Sequence, residues 1–122
     1  MNKFYFDTYA LVEIYKGSPN YLKYSKDVYM ILHKLNLMEY VHFLLREKRN
    51  ENLQKTFANL SSSCVECTDE IFIEAAKMKL KFKKENLSFV DCIGYLIAKE
   101  QGIKFLTGDW KFKNKENVEF VK

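Results

Sequence analysis

Three aspartates in this 122-residue chain stand where a regular element meets a turn, and one glutamate is placed to join them. Asp7 follows the apolar run Phe4-Tyr5-Phe6. Asp91 lies three residues after Ser88 at the start of a helical pattern, and Asp109 follows the run Ile103 to Thr107 through Gly108. If those runs are parallel strands, their C-terminal ends share one edge with the N-termini of the crossover helices, and the three acids meet there. Glu39, in the first turns of the helix after a second strand, completes the set. Four carboxylates within roughly 5 Å of one another repel by about 3 kcal/mol per pair at an effective dielectric near 20. Hard divalent cations relieve such repulsion, because Mg²⁺ and Mn²⁺ prefer carboxylate and water oxygens, and Mg²⁺ sites leave positions for phosphate. One or two such ions turn water into a nucleophile and neutralise charge building on a phosphoryl group, so the matching chemistry is phosphodiester hydrolysis. Thr8 and Thr107 place hydroxyls beside the acids, where they orient water or a carboxylate.

Each acid also has a local role open to it. Asp7 can cap a helix, Asp91 can be half of a capping box with Ser88, Asp109 can be a Gly-Asp turn residue, and a first-turn Glu such as Glu39 is ordinary. The site reading rests on the four taken together.

The elements that must position them follow from periodicity. Lys3 to Asp7 reads as a strand, followed by a helix through Ala10, Leu11, Ile14 and Tyr15. Pro19 begins a short helix with Ser18 as its cap. Val28 to Leu32 is a second strand, and a helix follows from Leu35 with Asn36 as cap and Met38, Val41, Leu44 and Leu45 on its apolar face. Arg46 to Asn52 is a charged break. A further helix over Glu51 to Leu60 forms a hairpin with its predecessor. Cys64 to Cys67 reads as a short strand, and Thr68 caps a helix from Asp69 to about Lys84 whose first-turn acids suit the helix dipole. Val90, Ile93, Ile97 and Ala98 recur at helical spacing after Ser88, and Gly102 stops that helix. Ile103 to Thr107 and Val118 to Val121 are the last strands, the final one at an edge. Strands alternating with helices predict an α/β fold with a central, mainly parallel sheet of four or five strands covered on both faces.

Composition narrows the class. The length and the 48% hydrophobic content suit one domain over residues 1–122, and one Pro with four Gly argues against disorder. Net charge is +4, carried by lysines except for Arg46 and Arg49, which suits an anionic partner met by point charges rather than planar forks. No stretch approaches the roughly 20 apolar residues of a membrane span and no secretory leader is evident, so the expected location is the cytosol with no membrane partner. Three cysteines do not make a disulfide framework. Cys64 and Cys67 have the spacing of a zinc or redox pair, but residues three apart on a strand face opposite ways and no second pair exists, which favours packing. His42, one turn after Glu39, reads as a surface residue rather than a general base. The run Lys77 to Lys84 reads as a solvated helix face, with guidance of RNA as a lesser alternative.

Four segments carry a family resemblance over essentially the whole chain: Phe-Asp-Thr-Tyr-Ala-Leu from Phe6, Leu-Asn-Leu-Met-Glu-Tyr at 35–40, Leu-Ser-Phe-Val-Asp-Cys at 87–92 and Leu-Thr-Gly-Asp-Trp-Lys-Phe at 106–112. They resemble the acidic motifs of PIN-domain ribonucleases, the fold of VapC-type toxins, and the last two are the specific ones. The resemblance implies a three-layer α/β/α fold and an endoribonuclease dependent on Mg²⁺ or Mn²⁺. Asp7, Asp91 and Asp109 would hold metal, and Glu39 would hold metal or position water. It also implies a homodimer, an RNA substrate, and, for a toxin, a small antitoxin whose tail fills the acidic cleft. Two residues depart from the pattern: His33, where a small polar residue is common, and Trp110, where a charged residue often follows the last acid. A second reading is a non-catalytic RNA-binding or scaffold version of the fold. A third, a receiver-like phosphoacceptor domain, needs an acidic pair after the first strand, and this chain has only Asp7-Thr8.

Overall fold

Alternation of side chains along the first strand decides how the layers form. In the computed structural model, which describes residues 1–49 and 52–122, β1 (Asn2–Phe6) sends Tyr5 to one side of the sheet and Phe4 and Phe6 to the other. Tyr5 stacks on Phe105 of β3 (Lys104–Thr107), with ring centroids 5.7 Å apart, and joins a core built on α4 (Asp69–Lys81) and α5 (Phe89–Gln101). Phe4, Phe6 and Leu106 face the opposite core, closed by α1 (Thr8–Tyr15) and the 3₁₀ turn Pro19–Tyr24. A sheet covered on both faces is the consequence, and its two central strands carry buried apolar runs, Phe4 to Phe6 and Phe105 to Leu106, with Lys3 and Lys104 at their exposed starts.

The sheet has four strands, all parallel, in the order β2-β1-β3-β4, with β2 Val28–Ile31 and β4 Val118–Phe120 at the edges. The chain steps outward from β1 to β2 and later returns on the other flank at β3. The strand order therefore reverses between β1 and β3, where open sheets of this kind form a crevice at the carboxyl ends of the strands. This three-layer arrangement matches the expected one.

Capping fixes where the helices begin. Ser88 Oγ accepts from Asp91 N at 3.0 Å while Asp91 Oδ2 accepts from Ser88 N at 3.0 Å, the expected reciprocal pair. Thr68 caps α4, and Gly102 ends α5 with φ of +67°, a conformation glycine adopts without a Cβ penalty. Gly94 is the close approach of α5 to β1: a Cβ there would collide with the Tyr5 ring.

Several local expectations are corrected. The helix after β2 is α2 (Lys34–Arg46), and its cap is His33, not Asn36; Asn36 is turned inward and 1% exposed. Leu44 is buried as expected, beside Leu37 and Phe43, whereas Met38 and Leu45 are exposed, because Asn36, bonded inward to Tyr5 and Phe6, fixes the rotation of the helix. Cys64–Cys67 is not a strand: Cys64 alone bridges Leu32, since the segment has no further partner along the sheet edge. Ser18 makes no side-chain cap bond. Helix α4 stops at Lys81 and Leu80 is exposed. The helix after the charged break is α3 (Leu53–Ser61), capped by Asn52, and it packs on α2; Glu51, its expected first residue, lies outside the described residues.

Candidate active site

Asp7 leaves β1 at the sheet's C-terminal edge and is 6% exposed. Its backbone N donates to Leu106 O at 3.0 Å, extending the β1–β3 pairing by one residue. The carboxylate is then held at both oxygens: Oδ1 accepts from Thr8 N at 2.9 Å, and Oδ2 accepts from Thr107 Oγ1 at 2.6 Å. Thr107 Oγ1 in turn accepts from Asp109 N at 3.1 Å, so one buried hydroxyl ties the first acid to the backbone of the last. Asp109 caps the short 3₁₀ turn Trp110–Phe112 through Oδ1, which accepts from Lys111 N at 3.0 Å.

Glu39 comes to the same place on α2. Its Oε1 accepts from Thr8 Oγ1 at 2.7 Å, joining the second element to the residue after Asp7. Asn36 sets the helix that carries it: Oδ1 accepts from Tyr5 Oη at 3.0 Å and from His33 N at 2.8 Å, and Nδ2 donates to Phe6 O at 2.9 Å. Every polar atom of this buried amide is used to bind the start of α2 to the end of β1. His33 does the work of the small polar residue expected at its position, with ring Nδ1 accepting from Leu35 N at 3.2 Å. Burial holds its imidazole below the ordinary value and so keeps that acceptor neutral.

All four acids line one open cleft of about 440 Å³, whose wall includes Thr8, Tyr9, Lys16 and Arg46. Thr107 lies beneath it, fully buried, where its hydroxyl orients Asp7 instead of reaching a ligand. His42 is exposed and does not line the cleft. Cys64 and Cys67 are free thiols packed into opposite cores. Periodicity could not find Asn36, Lys16 and Arg46. The one signal for Asn36 was its position three residues after the true cap, the far half of a capping box.

The electrostatics are those of crowded anions. Burial pushes the Asp7 carboxyl up to about 7 and the charge of Asp91 adds to the rise, while the hydrogen bonds from Thr107 and Thr8 pull against it. Burial also raises Asp91, against its two bonds to Ser88, and raises Glu39, against its bond from Thr8. Among the described residues none of the four acids forms an ion pair with Lys, Arg or His within 4.0 Å. Asp91 Oδ1, Glu39 Oε2 and Asp109 Oδ2 accept no hydrogen bond from another described residue. Unpaired carboxylate oxygens sharing a cleft fit a hard divalent cation in donor type and in charge. Among the described residues, no three His, Cys, Asp or Glu side chains converge closely enough, as they stand, to enclose one ion.

Comparison with known proteins places this arrangement. Residues 4–118 match the family description "PIN domain". No curated protein sequence matches significantly. Among solved structures, a toxin-antitoxin complex from Klebsiella pneumoniae is similar with a TM-score of 0.74 at 17% identity, covering 97% of this chain and 95% of that one. A crystal structure of a protein from Pyrobaculum aerophilum is similar with a TM-score of 0.67 at 16% identity, covering 98% and 91%.

Proposed function

The chain belongs to the PIN domain family, whose members are generally nucleases, and from that premise we propose that it is a metal-dependent endoribonuclease hydrolysing RNA phosphodiester bonds. The observation that carries the reading is the meeting of Asp7, Glu39, Asp91 and Asp109 in one cleft, with no ion pair to them within 4.0 Å among the described residues. Asp7, Asp91 and Asp109 would hold Mg²⁺ or Mn²⁺, and Glu39 would hold it or position water. Such an ion, when bound, supplies a polarised water and neutralises charge developing on the phosphoryl group.

The chain's own residues do the rest. Thr107 and Thr8 N favour the ionised form of Asp7 and fix its orientation, and Thr8 Oγ1 turns Glu39 toward the cleft. Lys16 and Arg46 on the wall draw in phosphates that the acids alone would repel. The test is cleavage of mixed-sequence single-stranded RNA by the purified protein, with EDTA or with added Mn²⁺, beside Asp7→Asn and Asp91→Asn. Cleavage confined to the wild type with Mn²⁺ supports the proposal; no cleavage under any condition, or cleavage indifferent to EDTA, overturns it.

The biological setting is proposed in the same terms: a cytoplasmic toxin of one PIN-like domain over residues 1–122, dimeric, held by a small antitoxin that occupies the acidic cleft. The likeness to a chain of a toxin-antitoxin complex supports it, as does the lack, among the described residues, of any helix long and apolar enough to cross a membrane. One observation favours the alternative of a non-catalytic RNA-binding or scaffold domain: among the described residues, no three His, Cys, Asp or Glu side chains stand ready to enclose a single ion. Metal titration followed by calorimetry separates the two, since only the nuclease requires a stoichiometric Mn²⁺ site.

A further inference from the structure

Trp110 follows the last acid of the cleft, yet it is 57% exposed. It is nevertheless held in place. Its ring packs against Phe120 of the edge strand β4, with centroids 5.3 Å apart. Two ammonium groups lie over it, Lys113 Nζ at 4.4 Å from the ring centroid and Lys122 Nζ at 5.0 Å. Lys122 also lies over Tyr9, which lines the acidic cleft, so the two rings share one cation across the boundary of the site. Beyond Trp110 a second open hollow of about 550 Å³ is lined by Glu85, Trp110, Lys111, Asn114 and Lys115.

Charge explains why such a feature would stand here. A polyanion crossing four clustered carboxylates needs cations on both sides. Lys16 and Arg46 lie along the cleft itself, and Lys113 and Lys122 lie past Asp109. A cation alone would serve phosphate. A supported indole between cations serves a nucleotide, because its face takes a base while the ammonium groups take the phosphates on either side.

We propose that Trp110 is a stacking platform for one unpaired base of a single-stranded RNA, with Lys113 and Lys122 holding the phosphates that flank that base. The proposal rests on the nuclease reading for the identity of the polyanion and adds to it the strand's path, from Arg46 across the acids to Trp110. The lysine stems are flexible, so an arriving base displaces an ammonium from the ring face and the ammonium follows the phosphate. A base inside a duplex is already stacked and has no free face for the indole, so the platform selects unpaired RNA.

Trp110 is the only tryptophan in the chain, so its fluorescence reports the platform directly. The experiment titrates the 122-residue chain, in EDTA to prevent cleavage, with a short unstructured oligoribonucleotide, the same sequence as a duplex, and an abasic ribose-phosphate oligomer of equal length. Binding is read in parallel by anisotropy of a labelled strand. Saturable quenching by the single strand and not by the abasic oligomer is expected. Trp110→Ala should weaken single-strand binding by about five- to 150-fold, the loss of one stacked base, while Trp110→Phe keeps most of it and controls for the packing on Phe120. RNA binding without quenching, equal affinity of Trp110→Ala, or equal quenching by the duplex overturns the platform and leaves the nuclease reading standing. Quenching by an RNA that Mn²⁺-loaded protein never cleaves overturns the nuclease reading and leaves the platform. Absence of any RNA binding in EDTA overturns the platform, and cleavage with Mn²⁺ then decides the nuclease reading by itself.

Discussion

Thr107 Oγ1 donates to Asp7 Oδ2 at 2.6 Å across the β1–β3 boundary, a bond between residues 100 positions apart. The same hydroxyl accepts from Asp109 N, so the acids that end two neighbouring strands are fixed relative to each other through a side chain solvent never reaches. Removing that hydroxyl should leave the strands paired and change the chemistry of Asp7. Thr107→Val keeps the shape and deletes a bond that favours the ionised carboxylate, so Asp7 should rise further above about 7. In the proposed cleavage Asp7 acts ionised, so the acid limb of the pH–rate profile should move to higher pH by about one unit. An acid limb unmoved in Thr107→Val would show that Asp7 ionisation does not govern the rate.

Asp7 also makes the metal-free fold pH-sensitive. Its folded value, about 7, lies above the unfolded value of 3.8, so between these the folded state binds the proton more tightly. Stability from this group is therefore fully present below pH 3.8 and is lost as pH rises through 7, by a few kcal/mol at most. Urea unfolding in EDTA should find Asp7→Asn more stable than wild type at pH 7.5, with the advantage shrinking toward pH 4.5. A constant difference across that range would contradict the assignment.

Asp91 separates site from cap. Asp91→Asn keeps an oxygen to accept from Ser88 N and removes one of the repelling charges, so its melting temperature in EDTA should equal or exceed that of wild type. Stabilisation by Mn²⁺ should be lost in the same variant. Unfolding of Asp91→Asn would assign the residue to helix capping alone.

Asn36 is the joint between α2 and β1. Replacing it with Leu leaves Tyr5 Oη, His33 N and Phe6 O without their present partner in the interior, at a cost of about 3 kcal/mol. In a domain of this size that corresponds to a fall in melting temperature of roughly 10 °C or more. If Asn36→Leu melts within a degree or two of wild type, the network does not hold the helix.

Much of this protein follows from order along the chain. Ser88 and Asp91 form their reciprocal cap within three residues, Thr68 and Gly102 bound their helices, and the apolar runs ending at Phe6 and Thr107 become the two central strands. The acids were visible for the same reason: an Asp at the end of a strand stands out against a short apolar run. Local physics could not decide the rest. Met38 rather than Leu37 reads as core until the rotation of α2 is known, and that rotation is set by Asn36 reaching Tyr5 and Phe6 some thirty residues away. Cys64 to Cys67 has the composition of a strand and pairs only at Cys64, with Leu32. The burial that lifts Asp7 to about 7, and the gathering of Lys16 and Arg46 around the acids, exist only once the fold brings β1, β3, α1 and α2 together. Charge repulsion and desolvation depend on distance in space, which order along the chain does not specify.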